Sequence, residues 1–147
     1  ITGLEAVYLF RAGLEEMRFN QPGGVRLSAR KDHYPEFAPV ANPLVWVHPE
    51  TGRRVLNVST LNIDHIIGRR DAAGDALITR LIDHCLDPRF HYVHDWAEGD
   101  MVLWDNRRTM HAAFGHPADQ IRVVHRTTIK GTVAMGRTCT EAELASA

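Results

Sequence analysis

His111, with Arg122 and Arg126 eleven and fifteen residues further on, forms the set whose residue types and order point to chemistry. A neutral imidazole is a ready metal ligand. A guanidinium grips a carboxylate through two parallel charge-assisted hydrogen bonds. The β-branched run from Arg122 to Val133 reads as a strand. On a strand, Arg122, Val124, Arg126 and Thr128 share one face and Val123, His125, Thr127 and Ile129 the other. Four residues of strand rise set the two arginines roughly 13 Å apart at Cα, which suits them to different anionic groups. A second donor-rich stretch, His84, Cys85, His91 and His94, has zinc-compatible atoms. Its spacing speaks against a metal site, because adjacent helix positions face different directions and His91 and His94 fall on opposite strand faces. His33, His65, His116 and His125 have no organised partners and read as ordinary surface or loop residues. The basic pairs Arg30-Lys31, Arg53-Arg54, Arg69-Arg70 and Arg107-Arg108 are dispersed among acids and read as solvated.

The elements that must position these residues follow from hydrophobic spacing. Leu4, Val7, Tyr8, Leu14 and Met17 recur at helical intervals, which predicts an amphipathic helix from Thr2 to Phe19, ended by Gln21-Pro22-Gly23-Gly24. Val25 to Pro43 has no period and reads as an irregular connection. Leu44 to His48 and Arg54 to Ser59, separated by Pro49-Glu50-Thr51-Gly52, predict a hairpin. Asp71 is placed to cap a helix carrying the stripe Leu77, Ile78, Leu81, Ile82 and Cys85 and ending near Pro88. Further strands are expected at Phe90 to Trp96 and Met101 to Trp104, with Glu98-Gly99-Asp100 as a turn. The tail from Thr138 reads as a short helix or a frayed end.

The run Gly99-Asp100-Met101-Val102-Leu103-Trp104-Asp105-Asn106-Arg107, with His111 and then Arg122-Val123-Val124-His125-Arg126, resembles the C-terminal motif of the taurine and dichlorophenoxyacetate dioxygenase family. His48-Pro49-Glu50-Thr51-Gly52-Arg53 is similar to that family's H-P-x-T-G-R hairpin. Together the matching residues span about 44 to 132. The resemblance implies a mainly β fold with flanking helices, the C-terminal portion of a double-stranded β-helix, or jelly roll. It implies Fe(II) held by two histidines and one carboxylate on one face, leaving room for a chelating keto acid and O₂. In that scheme His111 is the second histidine ligand and Arg122 takes the distal carboxylate of α-ketoglutarate. Arg126 lies nearer the metal, toward the keto acid or an anionic group of the primary substrate. Trp104, Asp105 and Asn106 pack and cap the turn that orients the His111 segment. The reaction implied is hydroxylation of a small, anionic substrate coupled to decarboxylation of α-ketoglutarate to succinate.

The family's first two iron ligands come as His-x-Asp or His-x-Glu. His48-Pro49-Glu50 fits the pattern formally but falls in the hairpin and reads as turn. With two of three ligands unaccounted for, two explanations stand. Residues 1–147 form a single domain that is the C-terminal half of a larger catalytic domain, completed by an N-terminal half or a partner chain; this is the expectation. The alternative is a non-catalytic jelly-roll binding or structural module. A start at Ile1 without Met and only five or six strand candidates favour the first. An incomplete roll would leave apolar strand faces and unpaired edges open.

Bulk properties narrow the partners. Seventeen basic against eighteen acidic residues give no electrostatic footprint for a nucleic acid or an anionic membrane, so small molecules, O₂ and protein are the expected partners. A homo-oligomer is compatible with this balance. Apolar runs fall well short of a membrane span. Two distant cysteines, Cys85 and Cys139, suggest neither a disulfide framework nor a zinc knuckle, and a reducing cytoplasm suits them.

Overall fold

The N-terminal residues form a strand where their spacing predicts a helix. In the computed structural model, which describes residues 1–21, 36–117 and 119–145, β1 (Glu5–Tyr8) is followed by a 3₁₀ turn at Leu14–Glu16. Leu4, Val7 and Tyr8 keep helical spacing, but adjacent Ala6 and Val7 are buried on opposite strand faces, so long-range pairing overrides the local period. On one side β1 pairs antiparallel with β2 (Val40–Pro43), Ala6 opposite Asn42 and Val7 opposite Ala41. On the other it pairs antiparallel with β5 (Ile63–Ile66), with a register shift between Val7 and Tyr8. Ala6 and Val7 lose all solvent exposure between these neighbours. The predicted loop ending at Pro43 thus contributes β2; its stretch from 22 to 35, with His33 and Arg30-Lys31, lies outside the described residues.

β3 (Val45–Val47) and β4 (Arg54–Leu56) form the expected hairpin, with Val45 opposite Leu56 and Trp46 opposite Val55. Gly52 at φ +66° supplies the left-handed turn residue that closes it. Leu44 joins the two sheets. Its N–H donates to the Leu4 carbonyl, its own carbonyl accepts from Asn57 N–H, and its side chain is fully buried.

β5 escaped the sequence reading because Asp64 and His65 interrupt its apolar pattern, although all four of its residues are buried. Burial alone would raise the Asp64 pKa. The hydrogen bonds from His65 Nδ1 (2.8 Å) and Arg11 (3.0 Å), with the positive charge of Arg70, outweigh it and hold the carboxyl below its ordinary value. His65 is 1% exposed, so the expectation of an ordinary surface or loop residue is overturned; its Nε2 donates to the Glu143 carbonyl at 2.9 Å.

α1 (Ala72–Cys85) starts where Asp71 accepts a 2.7 Å hydrogen bond from Gly74 N–H. It stops three residues before Pro88, which begins a 3₁₀ turn at Pro88–Phe90. Ile78 and Ile82, one turn apart on its apolar stripe, pack with Ala6, Leu44, Val58, Ile63 and Ile66 as the core. β6 (Arg137–Thr138) adds to the far edge of β2, giving the order β5-β1-β2-β6. Gly136 precedes it at φ +77°, where a Cβ would lie 2.5 Å from the Ala41 carbonyl oxygen. α2 (Glu141–Ala145) realises the predicted tail helix, and Arg137 ties it to the sheet through Glu143 and Glu5, each at 2.6 Å.

The described chain is thus built on β sheets with few helices, but the three C-terminal strands expected at Phe90 to Trp96, Met101 to Trp104 and Arg122 to Val133 do not form. Those residues are irregular and largely exposed, with Met101 at 92% and Val123 at 73%. A strand needs a neighbour to take its backbone N–H and C=O groups, and among the described residues these stretches have none.

Ile66→Ala should lower unfolding stability by about 2–5 kcal/mol, whereas Ile129→Ala should change it by under about 0.5 kcal/mol; urea denaturation distinguishes them. Asp64→Asn should cost about 3 kcal/mol at neutral pH by breaking a buried pair. Because the folded Asp64 carboxyl sits below its ordinary 3.8, its stabilisation is complete above that value and is lost as pH falls through the lower folded pKa. The gap between wild type and Asp64→Asn should therefore close in acid, measured by denaturation from neutral pH down to about pH 2.

Candidate functional site

Two motifs far apart in sequence meet at one contact. His48, at the end of β3 and 4% exposed, reaches Asp105 in the turn leading toward His111; the two residues are 57 positions apart. His48 Nδ1 accepts from the backbone N–H groups of Glu50 and Thr51, each at 3.3 Å. The proton of the neutral ring therefore sits on Nε2, which donates to Asp105 Oδ2 at 2.8 Å. Trp46, whose ring centroid lies 5.9 Å from that of His48, adds a 3.1 Å bond from its indole N–H to the Arg107 carbonyl.

Asp105 is the pivot of the turn. Its Oδ1 accepts from Arg107 N–H at 2.9 Å, and its carbonyl accepts from Arg108 N–H (3.2 Å), Thr109 N–H (3.1 Å) and Thr109 Oγ1 (2.7 Å). The Arg107 N–H, then the His48 hydrogen bond, hold the Asp105 carboxyl below the usual carboxylate range. Trp104 donates to Asn106 Oδ1 at 2.7 Å and its ring lies 5.0 Å from that of His111. Arg107 continues the connection outward, donating to the Val133 carbonyl at 3.3 Å.

His111 lies just beyond this turn, exposed on irregular backbone. Arg122 and Arg126 are likewise exposed on irregular backbone, and among the described residues neither makes a hydrogen bond or ion pair. The structure does not bring His111 together with the two arginines through any described contact. The His84, Cys85, His91 and His94 set forms no site either: among the described residues no group of three or more His, Cys, Asp or Glu is arranged to hold a metal ion. A facial Fe(II) site needs three donors. The described residues therefore do not by themselves fit that ion, and His111 offers one donor.

The sequence reading missed His48 as more than a turn residue. A signal was present, since a histidine directly after a Val-Trp-Val strand has its ring set beside a buried aromatic. It also missed the Asp64–His65 pair. Buried titratable pairs often mark active sites, but here both carboxylate oxygens and both ring nitrogens are engaged within the fold, which makes the pair structural. An open groove of about 440 Å³ runs beside β1, walled by Tyr8, Phe10, Phe37, Val40 and Leu61, with Asn42 and Asn62 as polar points. Burial pushes the Tyr8 phenol upward, and its hydroxyl donates to the Asn57 carbonyl at 3.2 Å.

Residues 1–128 match the family described as taurine catabolism dioxygenase TauD, TfdA family. An alpha-ketoglutarate-dependent 2,4-dichlorophenoxyacetate dioxygenase from Burkholderia sp. (strain RASC) is 36% identical over 101 residues, which is 69% of this chain and 32% of that protein. An (S)-phenoxypropionate/alpha-ketoglutarate-dioxygenase from Sphingobium herbicidovorans is 41% identical over 92 residues, 63% of this chain and 32% of that protein. An alkylsulfatase from Acinetobacter baylyi is 37% identical over 95 residues, 65% of this chain and 30% of that protein. The chain spans about a third of the length of these curated relatives. With the match running over most of its length, the chain belongs to the TauD/TfdA dioxygenase family.

Proposed function

We propose that this chain is the C-terminal part of an Fe(II)- and α-ketoglutarate-dependent dioxygenase, in which His111 is one iron ligand and Arg122 holds the distal carboxylate of the keto acid. The observation that carries the reading is the order and spacing of Trp104-Asp105-Asn106-Arg107, His111, Arg122 and Arg126 inside a family match that covers residues 1–128. The two other ligands would come from residues beyond this sequence. Iron, when bound, would supply the O₂ chemistry that couples conversion of α-ketoglutarate to succinate and CO₂ with hydroxylation of a small substrate. This chain's own part is positional: a neutral imidazole presented by the Asp105 turn, and a guanidinium whose planar fork matches a carboxylate.

For the substrate, we favour an anion with an apolar aromatic body. Two relatives are named for phenoxyalkanoates, and the apolar walls of the groove beside β1 suit a ring. Arg126 would take the anionic group. A non-catalytic module is the second reading.

The coding sequence upstream of Ile1 separates these readings, since the enzyme requires a His-x-Asp or His-x-Glu there. In the full protein, anaerobic Fe(II) with α-ketoglutarate should give a weak visible charge-transfer band, and His111→Ala should abolish it. Arg122→Ala should weaken α-ketoglutarate binding by about 2 kcal/mol or more, roughly thirtyfold, through loss of a charge-assisted fork. Arg122→Lys should recover little of that affinity, because an ammonium cannot reproduce the bidentate geometry. Unchanged titrations in these variants would exclude both assignments.

A further inference from the structure

The geometry points to His48 as a positioning residue: through Asp105 it clamps the turn that presents His111, so the H-P-x-T-G-R hairpin serves the metal-ligand segment. The inference rests on the reading of His111 as a ligand for its functional meaning, but the clamp itself is a property of this chain alone.

Three features support it. First, His48 is 4% exposed, whereas the turn it contacts is on the surface; the Asp105 side chain is 41% exposed. A buried donor thus meets an exposed acceptor, and restraint passes from hairpin to turn. Second, the ring cannot rotate freely. Glu50 and Thr51 N–H groups hold Nδ1 on one side, which aims Nε2–H at Asp105 on the other. Third, the contact is doubled, because Trp46 on the same strand binds the Arg107 carbonyl two residues along the turn. Two donors from one short strand grip a turn whose internal hydrogen bonds converge on Asp105. Trp104, adjacent to the pivot, carries the restraint to the His111 ring at 5.0 Å. Among the described residues no other element makes a side-chain hydrogen bond to the Asp105 carboxylate, so loss of His48 leaves the turn with only its local bonds on that side.

The test uses the full protein and reads two signals. Hydrogen exchange of the metal-free protein reports the Arg107, Arg108 and Thr109 amides against those of α1. His48→Ala should speed the turn amides roughly tenfold or more while leaving α1 unchanged. His48→Gln, which keeps an N–H donor at the Nε2 position, should restore part of the protection, whereas Asp105→Asn, whose single carboxamide oxygen cannot accept from both His48 Nε2–H and Arg107 N–H, should speed the same amides as His48→Ala does. Anaerobic Fe(II) titration in the presence of α-ketoglutarate should show affinity weakened about 10- to 100-fold in His48→Ala, the size seen when groups that orient metal ligands are removed. Turn amides unchanged in His48→Ala, or α1 amides accelerated equally, would overturn the clamp. A wild-type protein with no iron band would remove the iron reading, and the exchange signal would still decide the clamp.

Discussion

Glu5–Tyr8 has a hydrogen-bonded neighbour on each side, and the ordered part of the chain is organised around that double pairing. β2 and β5 satisfy both edges of β1, Ala6 and Val7 lose their exposure between them, and α1 closes over β5 with Ile78 and Ile82. Where a strand finds no such neighbour it does not form. Met101 to Trp104 and Arg122 to Val133 have the composition of strands, yet they lie exposed and irregular. Composition states a preference; backbone hydrogen bonds from another segment decide it. The curated relatives are about three times longer than the stretch matched here, and Leu103, Val123 and Ile129 stand exposed on this chain.

Between the ordered sheet and the irregular arm stands one polar junction. His48 and Trp46 extend from the hairpin to Asp105 and Arg107, so the residues preceding His111 keep a defined turn although no sheet contains them. The local logic is economical in atoms. A single carboxylate takes one backbone N–H and one imidazole N–H, and the carbonyl of the same residue closes the turn on Arg108 and Thr109. The arrangement gives the backbone just before His111 a defined shape.

Much of this was legible in the sequence, for identifiable reasons. Asp71 as cap, the Ile78 and Ile82 stripe and the Pro49 to Gly52 turn were readable because each signal is local: a side chain meets its own backbone, or one helix face repeats. β1 reads as helix because Leu4, Val7 and Tyr8 keep helical spacing, while a strand buried on both faces, as Ala6 and Val7 show, has no alternation to announce it and forms by long-range pairing. β5 was missed because its centre is Asp64-His65, and nothing nearby in sequence announces Arg11 and Glu143 as the partners that make such burial tolerable. His111, Arg122 and Arg126 stand out in the sequence through their resemblance to a family motif, and in the structure they lie exposed on irregular backbone with no described contact among them. The role of His48 was not, because it depends on a residue 57 positions away.

A structure of the full protein with iron and α-ketoglutarate bound decides the roles proposed for His111 and Arg122. His111 should coordinate the metal through one ring nitrogen, Arg122 should fork on the distal carboxylate of the keto acid, and the His48–Asp105 bond should stand intact behind the ligand. A metal centre assembled without His111, or a keto acid held by residues other than Arg122, would overturn those roles.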